Sequence, residues 1–515
     1  MKEKGKQIMK SLLLGIDIGT SACKIAVFEK NGTVAVAGSG EYPVYYPQAG
    51  WAEQNPDEWW DAVCQTIQKV LKEGGIDPKQ IAGIGIDGQS WSAVAIDKEG
   101  TVLTNTPIWM DTRAQSICDR LNRKLGAYNI FDLCGNMLQP SYTTAKILWY
   151  QENMPEIYAR IDKILQSNSF IAYRLTGVVS QDICQAYGFH CFDMRNGVWN
   201  EEMCRLLGIP MQFLPEIYSC HSVIGTVTEE AAHATGLAVG TPVVAGGLDA
   251  ACGTLGAGVI HAGETQEQGG QAGGMSICID KYAADPSLIL SYHVVPGQWL
   301  LQGGTTGGGG VMRWLEREFA DYERSVAEER GRSSLNQFND LAEHIAPGSD
   351  GLVFLPYMAG ERSPIWDPNA KGVFFGLDFS KTKGHIIHSA MEGVGYSLKH
   401  NLDIAENAGA SVKELLSVGG SANSALWMQI KSDITGKPLA VPFSDTATTL
   451  GAAILAGVGV GLYESFDEAV KETVRITKQY EPNMENHKAY QKNYKIYLEL
   501  YENLKETMKR AGGVA

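Results

Sequence analysis

One carboxylate stands alone in VVAGGLDAACGTLGAG, Val243 to Gly258, where nearly every other side chain is small. Such an acid is either a turn aspartate or the partner of a ligand that the small residues let in. In the second case Asp249 can take a proton from a hydroxyl or hold a hard cation. Asp17 has a related setting, because LLLGIDIGTSACK is an apolar run that ends in an acid and the turn Gly19-Thr20-Ser21. Further glycine-rich turns follow strand-like runs at Gly269-Gly270-Gln271-Ala272-Gly273, at Gly303 to Gly310, and at Gly419-Gly420-Ser421-Ala422-Asn423. Glycine lets a backbone approach a phosphate and aim its amides at it. Each turn alone reads as structural; all of them together with strand-end acids form a rarer combination.

The lysine-containing phosphate loop, GxxxxGK followed by Ser or Thr, is absent. GIGIDG at Gly83 to Gly88 matches GxGxxG, but it lies inside the strand-like run IAGIGID and reads as strand packing.

The elements that carry these residues alternate strand and helix. Strand Leu12 to Ile18 leads into KIAVFEK-NG-TVAVAG, a hairpin with an Asn-Gly turn, and SAVAID-KEG-TVLTNT reads as another. PDEWWDAVCQTIQKVLKEGG places Trp59, Val63, Ile67 and Val70 at helical spacing. After residue 240, TPVVAGGLDAA reopens the same strand, acid and turn design, so Asp17 and Asp249 are expected to face each other across a cleft between two halves. Residues from about Leu121 to Pro215 read as an insertion into the first half, and Phe466 to Lys509 as a charged helical tail.

Composition sets the outer limits. The chain has 515 residues, 44% of them apolar, which suits about two to four globular domains. A formal charge of −15 argues against a nucleic-acid partner, so any bound phosphate must be held by backbone amides and a metal ion. Apolar runs are too short or too glycine-broken for a membrane span, and Asp17 comes too early for a secretory leader, which predicts a cytoplasmic protein. The 10 cysteines form no CxxC pair and read as reduced thiols. Cys184, His190 and Cys191 lie close together, but no second ligand pair follows to complete a zinc site.

From about Leu12 to Tyr463 the chain resembles the FGGY family of carbohydrate kinases, nearest its xylulokinase branch. The resemblance rests on GVFFGLDFSKTKGHIIHSAME, on SYTTAKILWYQEN, on GERSPIWDPNAKGVFFGL and on VGGSANSALWMQIKSDITGKPLAVP. It implies an α/β fold of two actin-like ATPase (ribonuclease-H-like) domains with a deep cleft, divided here as 10–260 and 261–515, and admits a homodimer. It implies ATP and Mg²⁺ as cofactors and a small sugar as substrate. Asp249 would be the general base, and Asp17, with Asp249, would hold the metal. Thr20, Ser21 and Lys24 would line the nucleotide phosphates, with Gly270 and Gln271 as the second phosphate loop. Gly309, Gly310, Arg313, Gly420 and Ser424 would surround the adenosine. Gln89, Ser90, Trp91, Trp109 and Asp111 would contact the sugar.

The match departs from the family at Tyr150, a position usually aliphatic or Phe, and in two loops. The second loop reads Gly270-Gln271-Ala272-Gly273 where Gly-Thr-Ser-Gly is common, so its hydroxyl donors are missing. The sugar loop reads Gln89-Ser90-Trp91-Ser92 where the xylulokinase branch has Gln-Met-His-Gly. Trp91 can stack on a sugar's C–H face or simply fill core. The resemblance therefore puts D-xylulose first, ahead of L-xylulose, ribulose, erythrulose, another polyol or gluconate. A sugar and nucleotide sensor without transferase activity is the alternative from another class.

Overall fold

The computed structural model describes residues 11–331, 333–443 and 446–512. Strands β1 (Leu12–Ile18), β2 (Ala22–Glu29) and β3 (Val34–Glu41) form an antiparallel meander. The Asn31-Gly32 turn joins the last two, with Gly32 at φ 79°. Helix α1 (Pro56–Gly74) starts at Asn55, whose side chain accepts the Asp57 N–H, and ends at left-handed Gly75. It buries Trp59, Val63, Ile67 and Val70 against this sheet, as the spacing predicts. Strand β4 (Ile81–Gly88) then runs parallel to β1, placing Asp87 opposite Asp17.

The sheet is completed by β5 (Val223–Thr226), β6 (Pro242–Val244) and β7 (Gly247–Leu248), the last pairing Gly247 with Asp87 and Leu248 with Gly88. Helix α2 (Asp249–Gly256) follows at once. This corrects the expectation that TPVVAGGLDAA opens the second half. The ladders of β6 and β7 to β4 place the segment inside the first sheet, between β4 and the edge strand β5, so Asp249 stands at a strand end of the same sheet as Asp17 and does not oppose it across the cleft.

A second sheet runs in the order β10-β11-β9-β8-β12-β13-β14. Its strands are β8 (Glu264–Gly269), β9 (Gly273–Ile279), β10 (Ile289–Tyr292), β11 (Trp299–Thr305), β12 (Glu414–Val418), β13 (Leu439–Pro442) and β14 (Ile476–Tyr480). Here again an antiparallel pair, β8 and β9, is joined by a tight turn and flanked by a parallel strand, β12. The strand ends that carry acids in the first sheet lead into glycine turns in the second. Helix α3 (Gly309–Phe319) follows β11, and α4 (Ala425–Thr435) follows the turn after β12.

Helix α5 (Ala447–Gly459) comes from the second half of the chain but lies on the first sheet. A Cβ on Gly15 would fall 2.1 Å from the Thr449 carbonyl oxygen, and one on Gly85 1.8 Å from that of Ala452. Gly85 of GIGIDG therefore serves this helix-on-strand approach, whereas Gly88 makes room for Ser167.

The segment inserted between β4 and β5 has its own core, including Ile117, Ile130, Ile147, Tyr150, Phe189 and Phe213. The second expected hairpin does not form as a ladder: Val94–Ile96 pairs with Lys163–Leu165, and Ile96 makes one isolated bridge to Val102. Nor is the tail helical throughout, because β14 interrupts it as an exposed, lysine-bearing edge strand. All ten cysteines are free and buried. Among the described residues no helix is long and apolar enough to cross a membrane.

Candidate active site

Three acids stand near one another at the ends of β1, β4 and β7, close enough for their charges to interact. Asp17 and Asp87 are register partners on parallel strands, and Asp249 begins the helix after β7. Burial raises the pKa of Asp87 well above the ordinary carboxylate value, and the charges of Asp17 and Asp249 raise it further. Neither oxygen of Asp87 finds a hydrogen-bond donor. Burial also raises Asp17, opposed by Lys24, whose Nζ lies 3.4 Å from Oδ2. Asp249 is pushed up to about 7, by burial first and by the charge of Asp17 second. Its Oδ1 accepts the Ala250 N–H at 2.6 Å, which opposes the shift without cancelling it.

Asp249 opens onto a cavity of about 430 Å³ between the two sheets. On the first-sheet side the wall also holds Thr20, Ser90, Trp91, Trp109 and Tyr187. Across it lie the Gly270–Gly273 turn, Gln266, Gln268, Gln302 and Arg362. Trp109 Nε1 donates to Thr20 Oγ1 at 3.0 Å, fixing the first turn against the cavity. Trp91 has the left-handed φ of 59°, which a bulky side chain adopts only when held. Here Lys146 Nζ donates to the Trp91 carbonyl at 2.6 Å, and the indole stacks on Tyr142 with centroids 4.4 Å apart. Lys146 is wholly buried, and burial lowers its pKa well below the usual lysine value.

A second cavity, of about 400 Å³, is lined by Gly309, Arg313, Gly420, Ser424, Met391 and Trp427 among others. The wall between the two cavities is built from backbone bonds, Gly309 N–H to Gly270 O at 2.7 Å and Gly310 N–H to Gln271 O at 3.0 Å. Gly309 and Gly310 are also the first residues of α3, so a helix N-terminus points at this junction. Arg313 Nε donates to Gln271 Oε1 at 3.1 Å, which ties up the amide oxygen that replaces the family's hydroxyls. Below the junction lies a buried ion pair that no spacing announces. Lys431 Nζ reaches Glu267 Oε1 at 2.6 Å and Ser421 Oγ at 3.1 Å, joining the roots of the Gly269 and Gly419 turns.

Some expected residues lie elsewhere. Asp17 and Lys24 line a separate hollow of about 290 Å³ with Thr446 and Thr449. Ser21 is exposed and lines neither large cavity. Gln89 and Asp111 are buried behind the cavity wall. Gln89 Nε2 donates to Gln54 Oε1 at 2.8 Å, and Gln54 in turn donates to the Thr20 carbonyl at 2.8 Å. Asp111 is occupied by Arg113 at 2.8 Å and by the Ala52 N–H at 2.7 Å. Both brace the site without opening onto it. Asp87, Lys146, Arg362 and Lys431 were missed; only Asp87, a strand-end acid like Asp17, carried a local signal.

The acids suit a hard divalent ion. Asp87 offers two buried oxygens without donors, next to Asp17 and Asp249, with the Lys24 ammonium as the nearby cation. Among the described residues no group of three His, Cys, Asp or Glu side chains could hold a metal ion, so protein carboxylates alone would not complete its coordination. That pattern fits Mg²⁺, which takes one or two carboxylates and fills its other positions with water and phosphate oxygens.

Comparison with known proteins agrees with this architecture. Residues 12–256 match the N-terminal domain model of the FGGY family of carbohydrate kinases, and residues 278–460 match its C-terminal domain model. The chain belongs to that family, and it is a carbohydrate kinase with the two-domain α/β fold. It is 30% identical over 475 residues to a xylulose kinase of Bacillus subtilis (strain 168), covering 92% of this chain and 93% of that one. It is 33% identical over 476 residues to a gluconokinase of the same strain, covering 92% of each. A solved xylulose kinase from Rhodospirillum rubrum superposes with TM-score 0.88 at 28% identity, covering 97% of this chain and 100% of that one.

Proposed function

We propose that this kinase transfers the γ-phosphoryl group of ATP to a hydroxyl of D-xylulose, with Asp249 as general base. A sugar hydroxyl has a pKa far above 7, so its proton must leave as the oxygen attacks phosphorus. A carboxylate in hydrogen-bond reach supplies roughly 10²- to 10⁴-fold by accepting it. Asp249 abstracts the proton, Trp91 and Trp109 orient the sugar, and the amides of the Gly270–Gly273 turn meet the phosphate oxygens. Asp17 and Asp249 at the strand ends, with Asp87 beside them, would hold Mg²⁺. Bound there, the ion would neutralise charge on the β- and γ-phosphates. Gly309, Arg313, Gly420 and Ser424 would take the adenosine in the neighbouring cavity. In this reading the lobes divide near residue 260, and the protein works in the cytoplasm.

One observation carries the reading: Asp249 and the Gly270–Gly273 turn line the same cavity from opposite sheets. A second acceptor, gluconate, is favoured by the 33% identity to a gluconokinase and by the loss of the branch's usual histidine at Trp91. A screen of ketoses, polyols and aldonates, read as ADP release, decides between them. Release with D-xylulose alone supports the first reading, release with gluconate alone the second, and no acceptor-dependent release rejects both.

A further inference from the structure

The walls of the larger cavity contain one acid and one cation among the described residues, Asp249 on the first-sheet side and Arg362 on the other. The guanidinium is packed over Gly304, where a Cβ would sit 2.8 Å from Nη2 and 3.0 Å from Cζ. Gly304 is the register partner of Gly274, the residue directly after the Gly270–Gly273 turn. Arg362 is therefore anchored beside the turn that supplies backbone amides to this cavity.

Its donors are largely unused. A guanidinium carries five N–H groups. Among the described residues its side chain makes one hydrogen bond, a long 3.5 Å contact from Nη2 to the Thr305 carbonyl. The adjacent acid does not claim them: Glu361 Oε1 accepts the backbone N–H of Thr306 at 2.6 Å and of Arg362 at 2.8 Å. A largely enclosed fork of donors with so few partners, in a chain of net charge −15, points to an anion that arrives with the substrates.

We propose that Arg362 is a catalytic residue whose guanidinium binds the γ-phosphoryl oxygens during transfer. This rests on the kinase reading above. The sugar oxygen forms its bond to γ-phosphorus while the bond from that phosphorus to the β,γ-bridging oxygen breaks. The bridging oxygen leaves with its electron pair as part of ADP, and Asp249 keeps the hydroxyl proton. Arg362 neither gives nor takes a proton; it gathers charge on the equatorial oxygens as it moves between donor and acceptor.

The test compares wild type with Arg362→Gln and Arg362→Lys, each first shown to melt like wild type. ADP alone should bind all three within about threefold. ADP with aluminium fluoride, which mimics the transferring phosphoryl group, should bind Arg362→Gln at least about a hundredfold more weakly, with Arg362→Lys between. Turnover of Arg362→Gln should fall by at least about a hundredfold on neutral and acidic acceptors alike. Equal aluminium fluoride affinity in wild type and Arg362→Gln overturns the proposal. So does a loss confined to KM for aldonates, which would make Arg362 a carboxylate ligand. If wild type turns over no acceptor, the kinase reading fails, and the aluminium fluoride ratio still decides the role of Arg362.

Discussion

Asp17 and Asp87 sit opposite each other on adjacent parallel strands, and no donor reaches either oxygen of Asp87. Two carboxyls so placed must share a proton or a cation, because burial and mutual repulsion disfavour two bare charges. A carboxyl whose folded pKa is raised binds protons more tightly folded than unfolded. Its cost to folding is absent below the unfolded value and grows as pH rises. Asp87→Asn should therefore melt higher than wild type at neutral pH, with the gap closing toward about pH 4. Millimolar Mg²⁺ should raise the wild-type melting temperature more than that of the variant. Equal responses to magnesium would remove Asp87 from the cation site.

Asp249 calls for a kinetic test. With its pKa pushed up to about 7, kcat/KM should rise with pH through that region, since only the ionised form accepts a proton. Asp249→Asn should lose at least about a hundredfold in kcat and keep its ADP affinity. Near-normal turnover in the variant would end its assignment as base.

Trp91 offers a stacking face held in place by Lys146 and Tyr142. Trp91→Ala should raise KM for the acceptor by about tenfold, the worth of a stacked aromatic, with ADP binding unchanged. If KM stays put, the indole is core filling.

The Lys431–Glu267 pair predicts a stability effect. Lys431→Met leaves a buried carboxylate without its cation and should cost about 3–5 kcal/mol in denaturant unfolding. A loss below about 1 kcal/mol, typical of an exposed pair, would show that the ion pair does not join the two turns.

Much of this was legible because it is local. The Asn31-Gly32 hairpin, the helix with Trp59 and Val63 on one face, and the turns after β1 and β12 each carry their signal within a few residues. What stayed hidden depends on partners far along the chain. Which sheet Asp249 joins is decided by pairing Gly247 with Asp87, and neither segment announces that bond. Arg362 sits in GERSPIWDPNAK with nothing nearby to indicate Gly304 beneath it. Gln89 and Asp111 have side chains suited to sugar contact, but Gln54 accepts from the amide nitrogen of Gln89, and the distant Ala52 N–H, with the neighbouring Arg113, binds the carboxylate of Asp111.

Helix α5 has a consequence for how the molecule is made. It covers the glycine face of β1 and β4 and also meets α2, where a Cβ on Gly451 would lie 1.9 Å from the Cys252 carbonyl oxygen. At about 5–20 residues per second, a ribosome delivers this helix roughly 10–40 s after β7 has emerged. During that interval the nascent chain holds an uncovered apolar sheet, an obvious client surface for a holdase.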